Sequence, residues 1–287
     1  MRRALSYTTR SRANRVGNMR KLDFRIEDRK YYHHRPDGCT VVEIEHCDWP
    51  GNEFGLWLPE SALSWKNWER AGQHQEWEIQ SRDEAVWRHS EEGAKLVSGF
   101  KMDQDAGCLW YSNVFTNTSD SPLRGVTAQT CLHLVNAPEF ISINGERIWV
   151  RLDGKWKTTD RVPREKSVDP NRIRFLRRGA RKDRTVVHNK DFPFSTMPES
   201  ACHPLIIAES FDREKSVGIA CRDMAWLFNN NDYILRCIHS EPEPIKEIGP
   251  GEECPQEGIV IFCEGTHEDL LERYEQLVPA EWWVMKR

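Results

Sequence analysis

The residues best suited to chemistry in this chain are His133 and the segment Arg236-Cys237-Ile238-His239-Ser240-Glu241-Pro242. In an extended chain alternate side chains share a face, so Cys237, His239 and Glu241 point the same way. A histidine and a carboxylate converging from two strands can serve as general acid and general base when their surroundings separate their pKa values. A lone histidine on a strand is more often a hydrogen-bonded sheet residue. The assignment therefore depends on the two stretches meeting in space.

A second group, Cys221-Arg222-Asp223, Trp226 and Asn229-Asn230-Asn231, has the composition of a sugar-recognition cluster: planar hydrogen-bonding groups beside an indole. Its plainer reading is a strand that ends in an asparagine-rich turn with one core tryptophan. Residues 161–190 are basic and poorly periodic, which predicts a long surface excursion. A solvated face is its ordinary role. Arg172, Arg174, Arg177 and Arg178 are the candidates if it forms a rim for an anionic ligand. His33, His34, Asp37 and His46 have the ligand types of a metal site, but adjacent residues on an extended chain point apart, so no metal and no other cofactor is expected. Gly-rich phosphate loops, G-x-S-x-G and H-E-x-x-H are absent from the sequence.

The element that must position His133 runs from Val114 to Phe140. Its centre, Thr116-Asn117-Thr118-Ser119-Asp120-Ser121-Pro122, is dense in residues that bond their own backbone or fix φ, and predicts a tight turn. The stretch beyond the turn alternates. Val126, Ala128, Thr130, Leu132 and Leu134 share one face, and Thr127, Gln129, Cys131, His133 and Val135 the other. The first is a core face. The second, with Gln129 and His133, is the candidate binding surface.

Around this hairpin short apolar-periodic stretches recur every 8–12 residues or so, which predicts an antiparallel sandwich rather than alternating strands and helices. Leu56–Ala71 is tryptophan-rich, and Trp65 and Trp68 stand three apart, which suggests a short helix. Asp153-Gly154 predicts a hairpin turn. Ile259–Phe262 is apolar on both parities and predicts a central strand covered on both faces. After it Thr266 caps a helix, with Asp269 at the capping-box position and Leu270, Leu271, Tyr274 and Leu277 as its apolar stripe. Residues 1–30 are expected to be a poorly ordered basic tail, and residues 31–287 a single, mainly β domain.

Composition narrows the partners. A net charge of −4 and a pI near 6.2 argue against nucleic acid or a membrane surface, and no apolar run reaches transmembrane length. Nine cysteines without a C-x-x-C pair predict buried free thiols in a reducing cytoplasm. Twelve tryptophans supply a large aromatic core and flat surfaces on which sugars stack. Oligomeric state is left open.

The stretch TNTSDSPL…CLH resembles a segment of the galactose mutarotase-like (aldose 1-epimerase-like) family, in which an Asn-containing turn leads into a strand bearing a substrate-contacting histidine. RCIHSEPEPIKEIGPGEECPQEGIVIF is similar to the family's C-terminal segment, where a strand carries the catalytic base before a Pro-Gly-Glu turn and a final strand. The resemblance covers roughly residues 107–265 and implies a large antiparallel β-supersandwich. It implies a saccharide ligand, neutral or anionic, and epimerisation at the anomeric carbon. His133 takes the place of the acid or substrate-binding histidine, Glu241 or else His239 that of the base, and Pro250, Gly251 and Glu252 match the turn. The family's second histidine and its early Arg-Asn pair have no counterpart here. The alternative is therefore a non-catalytic sandwich module that binds glycan or protein through exposed tryptophans.

Overall fold

The computed structural model describes residues 21–29, 39–63, 75–162, 172–177, 195–231 and 236–283. Its strands in chain order are β1 (Leu22–Arg29), β2 (Cys39–His46), β3 (Glu53–Leu63), β4 (Trp77–Ser81), β5 (Glu84–Glu91), β6 (Ala94–Asp103), β7 (Cys108–Asn117), β8 (Thr127–His133) and β9 (Ile148–Leu152). There follow β10 (Lys155–Thr158), β11 (Arg172–Leu176), β12 (Ser195–Thr196), β13 (Ala201–Glu209), β14 (Lys215–Cys221), β15 (Met224–Asn230), β16 (Cys237–Pro242) and β17 (Glu253–Glu264). Two helices close the described chain, α1 (His267–Leu277) and the short α2 (Ala280–Trp283).

The strands form two sheets. One has eight strands in the order β1-β2-β3-β8-β16-β15-β11-β12, the other nine in the order β10-β9-β13-β14-β17-β7-β6-β5-β4. Neighbours are antiparallel apart from β11 beside the two-residue β12. This is the mainly β, antiparallel sandwich with few helices that strand spacing and short turns predict. Ile44, Leu56, Leu132 and Ile238 of the first sheet share one buried cluster with Val150, Ile219, Val260 and Phe262 of the second. Fully burying a side chain of this size stabilises the fold by about 1.5–3 kcal/mol.

Strand β17 lies between β14 and β7, and both of its faces are covered. Val260 and Phe262 enter the inter-sheet core, while Ile259 and Ile261 pack with Leu270 and Tyr274 of α1. The capping box forms as expected: Asp269 Oδ2 accepts from the Thr266 backbone N–H at 2.7 Å. Asp153 and Gly154 take φ of 46° and 87° in the β9–β10 turn, a left-handed pair that glycine adopts without Cβ strain.

Three expectations need correction. Residues 22–29, assigned to a disordered tail, form β1, because Leu22, Phe24 and Ile26 alternate with charged residues and pair with β2. Leu56–Leu63 continues β3, paired with β2 and β8, and the short helix expected from Trp65 and Trp68 lies outside the described residues. The basic stretch 161–190 is not all surface excursion: Arg172–Leu176 is β11, whose Ile173 and Phe175 are buried. Asn229 and Asn230 belong to strand β15, not to a turn. Arg178, His33, His34, Asp37 and most of residues 1–30 lie outside the described residues.

Candidate functional site

The meeting of strands on which the site depends takes place. β8 and β16 are neighbours, with Cys237 opposite His133 and Ile238 opposite Leu132. Continuing that register sets His239 opposite Cys131. Leu132 and Ile238 point into the inter-sheet core, so the residues on either side of them face the other way.

That second face extends across the sheet in cross-strand rows. Glu43, Gly55, His133, Cys237, Asn230 and Arg172 form one row. Trp57, Cys131, His239, Phe228 and Arg174 form the next. Gln129, Glu241, Trp226 and Leu176 continue the face beyond them, with Glu241 opposite Trp226. Hydrophobic strands with a polar stripe down one face explain how so many ionisable groups collect: the core face fixes register, and register fixes what the other face shows.

His133, His239 and Glu241 are all nearly inaccessible, at 2 %, 1 % and 2 %. His239 is the hub. Its Nδ1 stands 3.3 Å from Glu241 Oε1 and 3.7 Å from Glu60 Oε2, its Nε2 stands 3.0 Å from Cys237 Sγ, and Phe228 stacks on its ring at 3.6 Å. The tautomer that satisfies these partners carries hydrogen on Nδ1 and receives the thiol hydrogen at Nε2. Gln129 Nε2 donates to Glu60 Oε2 at 2.8 Å. Glu60 and Gln129 are the half-buried members, so the group meets solvent on their side.

Burial moves these groups away from their ordinary protonation. Desolvation pushes Glu241 well above the usual carboxylate range, the charge of Glu60 adds to that, and the Thr130 backbone opposes it. Desolvation, with His133 nearby, holds His239 well below the usual imidazole range. Desolvation lowers His133 to about 3. Burial therefore favours a neutral imidazole at His133 and a protonated carboxyl at Glu241.

The other sequence candidates separate. Trp226 is on the face beside Glu241. Arg177, Arg222 and Asp223 are not; they border a cleft of about 340 Å³ past the Pro242 end of β16. There Arg177 pairs with Glu243 at 2.6 Å and Arg222 with Glu257 at 3.0 Å. Asn231 follows β15 and approaches Gly145 and Thr159, away from His239. The recognition cluster assembled from Arg222, Asp223, Trp226 and Asn231 thus does not form, because a strand separates residues that a turn would have gathered. Among the described residues the well-exposed large hydrophobics are Ile79, Ile143 and Phe211, none a tryptophan.

Two ionisable members of this neighbourhood, Glu60 and Glu43, are absent from the sequence reading. Cys131, Cys237 and His239 hold their ligand-type atoms within 4.8 Å of one another. The signal for this group is a repeated Cys-x-His, at Cys131–His133 and Cys237–His239, which gains meaning only once β8 and β16 are paired. All nine cysteines are free of disulfides, as expected. No helix among the described residues is long and apolar enough to cross a membrane.

No protein-family model matches the chain, and no curated protein matches it in sequence. Similarity is to solved structures. A galactose mutarotase related enzyme from Lactobacillus acidophilus aligns over 85 % of this chain and 98 % of its own, at 12 % identity and a TM-score of 0.44. A galactose mutarotase-like protein from Lactobacillus casei aligns over 84 % and 100 %, at 8 % identity and 0.45. The Slr1438 protein from Synechocystis aligns over 79 % and 92 %, at 9 % identity and 0.46.

Proposed function

We propose that the polar face of the eight-stranded sheet binds a saccharide and that Glu241 and Glu60 transfer protons to and from it. The observation that carries this reading is the convergence of two carboxyl groups from different strands on one imidazole nitrogen, at 3.3 and 3.7 Å. Paired carboxyl groups, one enclosed and one reaching solvent, are the arrangement that hydroxyl-directed acid and base chemistry requires. His239 acts as the positioning residue that orients both. Trp226 and Phe228 border the pair with flat apolar surface, and Gln129 offers amide hydrogen bonding. Arg172 and Arg174, on the same face, suit a saccharide that carries a carboxylate or phosphate. His133 stands farther along the face, four residues of strand rise from the position opposite Glu241, about 13 Å.

The reaction this supports is interconversion at the anomeric carbon. One carboxyl protonates the ring oxygen while the other takes the proton of the anomeric hydroxyl. The ring opens and recloses with the hydroxyl on either face, and both groups are restored.

The test is a thermal-shift panel of neutral hexoses, uronic acids and sugar phosphates, followed by polarimetry on any ligand that binds. Saturating ligand at about 100 times its dissociation constant adds roughly 2.7 kcal/mol, a rise of several degrees. Glu241→Gln and Glu60→Gln should each lower turnover about 100-fold or more. Silence across the panel, or turnover unchanged in both variants, overturns the reading.

A further inference from the structure

We propose that Cys131, Cys237 and His239 form a binding site for a thiophilic divalent cation, zinc by its donor set, with Glu241 and Glu60 orienting the histidine ligand from behind. The site shares His239 with the saccharide face but does not depend on saccharide binding.

The geometry comes first. Donors about 2.0–2.3 Å from a tetrahedral zinc ion stand roughly 3.5–3.8 Å from each other. The three donor atoms already lie within 4.8 Å, and His239 Nε2 and Cys237 Sγ are 3.0 Å apart. A small outward adjustment of that pair makes room for the ion. The positions are fixed by the sheet rather than by a loop: Cys237 and His239 are alternate residues of β16, and Cys131 stands on the adjoining β8.

The second observation is the far side of the imidazole. Histidines that ligate through one ring nitrogen regularly give the other N–H to a carboxylate, which fixes the tautomer and raises ligand basicity. His239 has that arrangement, with its Nδ1 toward Glu241 and Glu60 and its Nε2 toward sulfur. In a structural sheet histidine nothing requires two carboxyl groups behind the ring and two thiols in front.

Burial supplies the third. Cys131, Cys237 and His239 are 0 %, 6 % and 1 % exposed. Placing a divalent ion there costs little net charge, because each thiol gives up its proton: the ion and two thiolates sum to zero beside a neutral imidazole. Two protons leave for each ion bound, so affinity rises with pH. Sulfur-rich donors favour zinc over the oxygen-seeking magnesium and calcium. Three protein donors leave one coordination position for a water or a ligand atom, as in catalytic zinc sites with two cysteines and one histidine. His133 lies opposite Cys237 in the sheet register.

A second group of ligand types, His46, Cys47 and Asp48, is weaker on each count. Its members are consecutive, two of the three are exposed, and His46 Nδ1 already accepts the Asp48 backbone N–H at 3.3 Å.

The experiment uses the full chain, purified with reductant and stripped by a chelator, then titrated with zinc against a competing indicator. One equivalent should bind, and cobalt in its place should give an intense tetrahedral visible spectrum with thiolate charge-transfer bands. Cys131→Ala and His239→Gln should each weaken zinc at least 100-fold, whereas Cys108→Ala, which removes a buried thiol of the other sheet, should not. If the first two variants fail to fold, the wild-type cobalt spectrum decides. Lack of thiolate bands, zinc uptake indifferent to Cys131→Ala, or a Cys131–Cys237 disulfide in the reduced preparation overturns the proposal. The zinc and cobalt titrations are run without saccharide, so a silent saccharide panel leaves their outcome standing and absent thiolate bands leave the saccharide reading standing.

Discussion

Among the described residues, one buried glutamate in each sheet partners a histidine, and the two pairs are built to opposite ends. Glu209 of β13 is 1 % exposed and accepts three hydrogen bonds at 2.7 Å: from the His267 backbone N–H, from His267 Nδ1 and from Trp149 Nε1. Desolvation, the largest single influence, pushes its pKa up; the His267 and Trp149 donors together outweigh it, and Glu209 ends below the usual carboxylate range. Trp149 stacks on the His267 ring at 3.6 Å with an interplanar angle of 5°. This carboxylate ties the start of α1 to the sheet. Glu241 is as deeply buried, yet its imidazole contact is longer, 3.3 Å, and a second carboxyl group lies next to it. The same two residue types make a clamp where donors are plentiful and leave a carboxyl group that keeps its proton where they are scarce.

The largest effect that would break this contrast is at the clamp. Glu209→Ala leaves the half-buried His267 and Trp149 donors without their acceptor and should cost about 3 kcal/mol of unfolding free energy, read as a shift of the denaturant midpoint. A loss below 1 kcal/mol would show that the two pairs do not differ as described.

Acid should weaken the nine-stranded side next. His203, on β13 beside Trp156 and Tyr274, is lowered by burial to about 3. A depressed folded pKa contributes stability that is complete above the unfolded value near 6.5 and is lost as pH falls toward 3. At pH 5 the loss is about 2 kcal/mol. Glu209 adds to it in the same sense, but only below about 4.5. Comparing wild type with His203→Gln at pH 7 and pH 5 checks this: the variant should be the flatter of the two.

The smallest expected effect is at the other pair. In metal-free protein Glu241→Gln should change stability by less than about 1 kcal/mol, since a neutral amide fits a site with few donors. A loss as large as that of Glu209→Ala would make Glu241 a clamp too, and would weaken its assignment to chemistry.

What was legible in the sequence follows the range of the interactions involved. The Asp153-Gly154 turn, the Thr266–Asp269 capping box and the doubly apolar β17 rest on contacts within a few residues or on simple alternation, and each appears where expected. β1 and β11 were obscured because charged residues around Phe24, Ile26, Ile173 and Phe175 mask a period-two pattern that pairing partners then enforce. The asparagine-rich end of β15 reads as a turn because asparagine favours turns locally, whereas its two neighbours hold Asn229 and Asn230 extended. His133, His239 and Glu241 could be placed on one face from alternation plus resemblance. Glu60 could not, since it sits at an irregularity in the β3–β8 register between Trp57 and Ser61. Nor could the Cys131–His239 proximity, which depends on pairing two strands far apart in sequence.

The position of β17 also bears on how the molecule is made. It is the last strand among the described residues, yet it sits in the middle of its sheet, bonded to β14 on one side and to β7 on the other. While the ribosome is still adding residues 253–264, the β7 and β14 edges that will receive them are unsatisfied, and each offers a row of open backbone groups to any passing strand. The nascent chain must wait for its final strand before the nine-stranded sheet can zip shut. It is then that a holding chaperone would matter most, and a stall late in translation would leave two half-sheets prone to pair with the wrong partner.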